Sequence, residues 1–182
     1  METPHGHAGP GTAHLAETLL QTLDAEHTVL QTLHATFDVQ MQALQRQAPA
    51  QLEEATVTAN EQVSEMNRLR KKRERQMRLL GRVLTPSTEG ATLQDLARAL
   101  ADTHEPLSTQ LQTARTQLRA QAAATQQRCE EVEFTLRYAA QLGHELLEAI
   151  RGLDVPPPPR VYTAHGHSVQ TQSGTSFVDR VG

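Results

Sequence analysis

The chain has 182 residues, 3% aromatic side chains, no Trp and a formal net charge of −4 at pH 7. Such a composition can fill narrow seams between helices but not the middle of a wide globular core, so we expect an elongated fold. The negative charge argues against nucleic acid or an anionic membrane as the default partner.

The N-terminus has neither the basic start nor the apolar run of a signal peptide. No stretch approaches the roughly 18 apolar residues of a membrane span. We therefore expect a cytoplasmic protein without a membrane span.

Residues 1–13 contain Pro, Gly and His without periodicity and predict a flexible N-terminal arm. Helical pattern begins near His14 and ends at Gly152, which predicts a helical domain over residues 14–152. The first apolar face is interrupted by Glu26. Its members are Leu15, Leu19, Leu23, Leu30 and Leu33.

An apolar stripe continues from Leu33 to Met66 in steps of four, four and three residues. Its members are Leu33, Phe37, Met41, Leu44, Ala48, Leu52, Ala55, Ala59, Val63 and Met66. This eleven-residue period keeps a stripe nearly in line along a straight helix and excludes a strand. The unbroken phase favours one helix kinked at Pro49. The polar Gln45-Arg46-Gln47 and the cost of an interior proline, about 3 kcal/mol, favour a break near 45–50, which we expect.

The next helix is predicted to run to about Leu84, and a loop follows by composition. Thr92 and Asp95 form a plausible N-cap pairing for a short third helix. Glu105-Pro106 indicates a second break or a new helical start.

From Leu107 the eleven-residue pattern returns, and it includes Cys129 as a small buried thiol. Its members are Leu111, Ala114, Leu118, Ala122, Thr125, Cys129, Val132, Leu136, Ala140, Gly143, Leu147 and Ile150. Unbroken helices over the two halves would measure about 105 Å and 90 Å. Both a long antiparallel hairpin and a folded-back bundle fit these lengths, so the predicted class is all-α, with long amphipathic helices and disordered terminal tails.

The four prolines Pro156–Pro159 predict a stiff extended spacer, so residues 153–182 are expected to form a Pro-rich linker and a disordered tail. A tail with isolated hydrophobic anchors often folds onto a partner. The anchors here are Val161, Tyr162, Phe177 and Val178.

A basic cluster stands in residues 68–75, with six Lys or Arg among eight residues. Nucleic-acid binding is one interpretation. The scarcity of aromatic residues and the negative net charge favour a solvated helix face, with an acidic protein partner as the next alternative.

The chain offers little for catalysis or metal binding. His-Gly-His pairs occur at 5–7 and 165–167, but without a Cys pair or a helical His-Glu-x-x-His pattern we expect no metal site. Nothing marks Cys129 as a nucleophile, and we expect no cofactor and no enzymatic activity. Five acidic residues of the helices are expected to be ordinary surface charge. They are Asp24, Glu26, Glu130, Glu131 and Glu133.

The last helix has an apolar face wider than a two-helix seam requires. Tyr138 lies close to Phe134, Leu142, Leu146 and Leu147 on this face. Packing on another arm of the bundle is one explanation, and a surface that accepts a client's amphipathic helix is the other.

The sequence resembles the FlgN family of flagellar type III export chaperones. One part is Leu19-Leu20 through Glu26, then the run across Pro49-Ala50-Gln51-Leu52-Glu53 to Leu69, Arg73 and Leu79-Leu80. The tail is more telling, because Tyr162 to Gly166 and Phe177 to Arg180 are similar to the Tyr-x-x-x-Gly and Phe/Ile-Asp-Lys/Arg ending of many members. The Asp usual in the first interruption is absent here.

The resemblance implies a helical cytoplasmic chaperone that binds the C-terminal segments of hook–filament junction proteins and delivers them to the membrane export gate. It implies partner-binding roles for residues of the last helix and tail, with Tyr162 or equally Tyr138 at the gate. The full set is Tyr138, Leu142, Leu146, Tyr162, Phe177, Asp179 and Arg180. A homodimer stays open, and the rival functions are a self-assembling coiled-coil protein and, less favoured, a nucleic-acid binder.

Overall fold

The computed structural model describes residues 10–85, 90–153, 161–162 and 168–169. It contains four helices: α1 (Pro10–Gln45), α2 (Pro49–Leu84), α3 (Leu93–Leu100) and α4 (Glu105–Leu153). Two short strands, β1 (Val161–Tyr162) and β2 (Ser168–Val169), pair antiparallel within the segment that was expected to be disordered. The predicted class, long α-helices packed against one another, is confirmed. The remainder of the expected tails lies outside the described residues.

The first helix begins at Pro10, ahead of the expected start at His14. A proline at the first helical position is well placed, because its missing N–H would have no partner there and its φ angle already suits a helix.

The break between α1 and α2 falls where the sequence predicted it. The Ala48 N–H donates to the Ala43 carbonyl at 2.9 Å and the Gln47 N–H donates to the Leu44 carbonyl at 3.2 Å. Gln47 has a left-handed backbone with φ of 53°, and Pro49 starts the new helix. This bond pair is the Schellman arrangement that ends many helices, with glutamine where glycine is usual.

The chain divides into two compact units, Met1–Leu136 and Arg137–Gly182, and α4 contributes to both. Within the first unit α1 and α2 run antiparallel. Near their turn, the Gln40 amide donates to the Thr56 hydroxyl at 3.1 Å. Toward the other end of the pair, the Gln76 amide donates to the Thr18 carbonyl at 3.2 Å.

The first part of α4, residues 105–136, packs on this hairpin and runs parallel to α1. The Thr125 hydroxyl donates to the Leu30 carbonyl at 3.2 Å, and Arg128 pairs with Asp38 at 2.6 Å. Of the two arrangements left open by the sequence, the first unit therefore adopts the folded-back bundle.

The buried positions follow a seven-residue period, not the expected eleven. In α1 Thr22, Thr36 and Ala43 are buried outside the main seam, and the other nine buried positions fall at steps of four and three: Thr12, Ala16, Leu19, Leu23, Glu26, Leu30, Leu33, Phe37 and Gln40. The α2 seam follows the same steps through Ala55, Ala59, Leu69 and Leu80. The eleven-residue pattern arose because the stripe was read across the turn at 46–48, which joins two separate seams.

This difference in period corrects two expectations. Val63 and Cys129, both assigned to the buried stripe, are exposed. In α4 the expected stripe residues Thr125 and Val132 are buried as predicted, whereas Cys129 between them is not.

The core has two clusters. The larger one joins α1, α2, α3 and α4 through fully buried leucines: Leu19, Leu23, Leu80, Leu96, Leu100 and Leu111. The smaller one contains Leu33, Phe37, Ala59 and Val132.

Side-chain hydrogen bonds hold the short helix α3 near its start and near its end. Its start has the predicted capping box, in which the Thr92 hydroxyl accepts from the Asp95 N–H and the Asp95 carboxylate accepts from the Thr92 N–H. Toward its end, the buried Ser108 hydroxyl of α4 donates to the Ala97 carbonyl at 2.7 Å.

Candidate partner-binding surface

The second unit includes the last part of α4, and this part has a wide apolar face. At 3.6 residues per turn, its apolar and small side chains share roughly half of the helix circumference. Gln141, His144, Glu145 and Glu148 occupy the other side, where the Gln141 amide donates to Glu145 at 2.9 Å and His144 lies 3.4 Å from Glu148.

The large apolar residues of this face are exposed. We call the set the α4 apolar surface: Tyr138 (57%), Leu142 (41%), Leu146 (64%), Leu147 (56%) and Ile150 (55%). Single exposed leucines are ordinary on proteins, but a contiguous group on one helix face is typical of a protein-interaction site.

The structure brings together three of the residues that the sequence singled out. Tyr138, Leu142 and Leu146 are four residues apart in turn, so they lie on neighbouring turns of one face. Tyr162 lies in β1, where its backbone pairs with Ser168. Phe177, Asp179 and Arg180 lie outside the described residues.

From the sequence we placed Leu147 close to Tyr138 on the wide face, but we did not place Ile150 there. Both were assigned to the inner stripe of α4, and both are more than half exposed. A helical wheel drawn for residues 137–151 alone would have placed both residues on the exposed face. Such a wheel does not assume that the buried stripe of the N-terminal part of α4 continues into its C-terminal part.

The buried Glu26 is a second feature that the sequence analysis misjudged. It was expected to be surface charge, but its side chain is wholly buried and its carboxylate accepts a hydrogen bond from Arg73 of α2. The other carboxylate oxygen, Oε1, has no hydrogen-bond partner within the described part of the chain. Burial raises the pKa of Glu26, and the attraction of Arg73 opposes that rise.

The basic cluster of residues 68–75 is partly neutralised by carboxylates. Arg68 lies 2.6 Å from Glu65, Arg70 lies 3.1 Å from Glu74, and Arg73 is paired with Glu26. The Arg68 guanidinium lowers the pKa of Glu65 chiefly through its hydrogen bonds. Pairing of this kind favours a solvated helix face over a dedicated phosphate-binding patch.

The structure gives no support to a catalytic role for Cys129. Desolvation raises the pKa of its thiol, and the carboxylates of Glu133 and Glu130 add to the rise. A higher pKa lowers the fraction of reactive thiolate.

Two further observations concern only residues 10–85 and 90–153. In these ranges no group of three or more His, Cys, Asp or Glu side chains is arranged to hold a metal ion. No helix in them is long and apolar enough to cross a membrane. The His-Gly-His pairs at 5–7 and 165–167 lie outside the described residues.

A bundle of long helices, one of which carries an exposed apolar face, belongs to the class of helical proteins that bind other polypeptides. The chain belongs to the FlgN family, whose model, described as FlgN protein, matches residues 15–170. FlgN is a family of chaperones, not of enzymes, and membership in it implies a role of the flagellar export chaperone type. Neither the curated proteins nor the solved structures include a significant match to this chain.

Proposed function

We propose that this protein is a cytoplasmic chaperone that binds the C-terminal helical segments of hook–filament junction proteins through the α4 apolar surface. It keeps these clients unassembled and delivers them to the flagellar export gate. The single observation that carries the proposal is the exposed group of large apolar side chains on the last part of α4, in a chain of the FlgN family.

The chemistry of the α4 apolar surface suits an amphipathic helix. Tyr138, Leu142 and Leu146 offer anchors one turn apart, which match the spacing of apolar residues on a client helix. Each large side chain contributes roughly 1.5–3 kcal/mol when fully buried, and part of that gain offsets the ordering of client and helix.

The tail has a proposed role of its own. We propose that the residues around Tyr162, together with Phe177, Asp179 and Arg180, contact the client or the gate while α4 holds the client. The tyrosine that contacts the gate is either Tyr162 or Tyr138.

The binding test uses isothermal calorimetry with the full chain and a synthetic C-terminal peptide of a junction protein. The variant Leu142→Ser/Leu146→Ser should weaken binding by about a hundredfold, because two anchors of roughly 1.4 kcal/mol each are lost. The matched control is His144→Ala/Glu148→Ala on the polar side of the same helix segment, which should change affinity less than about threefold. Equal losses in the two variants would contradict the proposed surface.

The self-assembling coiled-coil alternative makes the opposite prediction. A self-assembling chain gives polymers by light scattering and no heat with the peptide. A discrete complex of chain and peptide supports the chaperone function.

A further inference from the structure

A groove in the first unit lies between α2, the start of α3 and α4, away from the α1–α2 turn. It has a volume of about 380 Å³. Three arginines and several apolar side chains line it. The arginines are Arg73, Arg115 and Arg119, and the apolar side chains include Met77, Leu93 and Leu118. We call it the arginine groove.

Two of its arginines have no carboxylate partner among the residues that the structure describes. Arg73 is paired with buried Glu26, so its charge is already balanced. Arg115 is half-buried and Arg119 is exposed, and neither forms an ion pair within residues 10–85 and 90–153. A guanidinium beside apolar side chains is well placed to bind a carboxylate with two parallel hydrogen bonds.

The charge of α2 is strongly divided along its length, and the arginine groove is at the basic end. Residues 49–65 carry four Glu and no Lys or Arg, whereas residues 66–84 carry eight Lys or Arg and one Glu. A cleft at the basic end concentrates positive potential and attracts negatively charged segments.

We infer that the arginine groove binds an acidic, partly apolar peptide segment of a partner protein. Carboxylates of the segment pair with Arg115 and Arg119, and an apolar side chain between them packs on Met77, Leu93 and Leu118. The combination of cationic and apolar lining distinguishes this surface from the α4 apolar surface. The inference does not depend on the proposed client.

Other occupants fit the groove less well. The chain's own residues 153–182 contain two Asp and two Arg, so they carry no net negative charge to match it. Among the described residues, the lining includes no aromatic side chain on which a base could stack, and its apolar residues suit a peptide better than a phosphate backbone.

The test measures fluorescence anisotropy of the full chain with a fluorescein-labelled peptide of repeated Glu-Glu-Leu units. We expect binding that weakens when Gln replaces Glu in the peptide, and also when Ser replaces Leu. The variant Arg115→Glu/Arg119→Glu should weaken binding at least about tenfold. The matched control, Lys71→Glu/Lys72→Glu, makes the same change of charge on exposed residues outside the groove lining and should weaken binding less than about threefold.

Two further variants complete the design. Arg119→Glu alone changes an exposed side chain, so it tests the groove even if the double variant does not fold; circular dichroism and urea unfolding check each variant. Leu142→Ser/Leu146→Ser should leave the affinity for the acidic peptide unchanged, which separates this surface from the client-binding one.

Four results would overturn the inference. Equal losses in the arginine and lysine variants would indicate attraction to the whole basic face. An undiminished affinity for the Gln-Gln-Leu peptide would remove the carboxylates from recognition. Displacement of the peptide by a single-stranded oligonucleotide at lower concentration than by unlabelled peptide would identify nucleic acid. Self-association in sedimentation that Arg115→Glu/Arg119→Glu abolishes would identify a second copy as the occupant.

Discussion

Replacing Arg73 by methionine should destabilise this protein much more than replacing its partner Glu26 by leucine. The Glu26 side chain is 0% exposed, while the Arg73 side chain is 21% exposed. Without Arg73 the carboxylate is left among the leucines of the α1 seam, and its Oε1 already lacks a hydrogen-bond partner in residues 10–85 and 90–153. Removing one partner of a buried ion pair costs roughly 3–5 kcal/mol, and the partial exposure of Arg73 places this case near the lower value.

Replacing Glu26 instead leaves Arg73 unpaired, and an unpaired Arg73 destabilises the folded state less than an unpaired Glu26. Without Glu26, the partly exposed Arg73 can extend its guanidinium into water along its own apolar stem. Leucine also continues the seam formed by Leu23 and Leu30. We expect Glu26→Leu to cost about 1 kcal/mol, and the double variant Glu26→Leu/Arg73→Met to lie within about 1 kcal/mol of the wild type.

The pH dependence of these variants follows from the raised pKa of Glu26. Because the folded protein holds this proton above the ordinary value of 4.5, the folded state binds more protons than the unfolded chain, and stability falls as pH rises through the folded pKa. Arg73 opposes the rise of the pKa, so its removal raises the pKa further. The stability deficit of Arg73→Met should therefore grow from about pH 5 to about pH 8.

The assay is urea unfolding followed by circular dichroism for the wild type, the two single variants and the double variant. A coupling energy of at least about 2 kcal/mol between the two positions is expected. A loss of unfolding free energy in Arg73→Met below about 0.5 kcal/mol and independent of pH would contradict a buried ion pair at this site. Changes of that size are typical of surface substitutions.

Three further predictions concern the turn, the cap and the tail. Gln47→Gly should stabilise the protein by about 1 kcal/mol in thermal unfolding, because glycine adopts the φ of 53° without steric cost; an unchanged or lower melting temperature would contradict a strained turn. Thr92→Ala should cost about 1 kcal/mol by urea unfolding through loss of the α3 capping box, whereas Thr92→Ser should be nearly neutral; equal effects would mean that the cap contributes nothing. Deleting residues 160–182 should leave helicity and melting nearly unchanged but weaken client binding in calorimetry, and an unchanged affinity would reject the proposed role of the tail.

Local signals in the sequence predicted much of the fold. Pro49 predicted the break between α1 and α2, because a proline is tolerated at a helix start but not inside a helix. Thr92 and Asp95 predicted the start of α3 for a similar reason, since their hydrogen bonds involve residues only three apart. Such features depend on neighbouring residues and on little else.

The features that the sequence did not reveal depend on contacts between distant residues. Glu26 was expected on the surface because no nearby residue indicates that Arg73, 47 positions later, covers it. The eleven-residue stripe was wrong because two seams of seven-residue period, offset from each other by one residue, were read as one stripe across the turn. The same assumption of one continuous stripe placed Cys129 inside the core and Ile150 in an inner seam.

Part of the candidate surface was nevertheless visible. Tyr138, Leu142 and Leu146 share a face by their spacing alone, and the sequence predicted a face wider than one seam. That face is exposed in the folded chain. Its exposure is a tertiary property, because the same spacing would also suit a helix packed on another arm of the bundle.

The most direct test of the account measures whether the protein prevents a junction protein from self-associating. Light scattering of a purified hook–filament junction protein would be followed over time with equimolar wild type or with the Leu142→Ser/Leu146→Ser variant. We predict that the wild type suppresses the scattering, that this variant does not, and that His144→Ala/Glu148→Ala acts like the wild type. Suppression by the Leu142→Ser/Leu146→Ser variant equal to that by the wild type would contradict the claim that the α4 apolar surface holds the client.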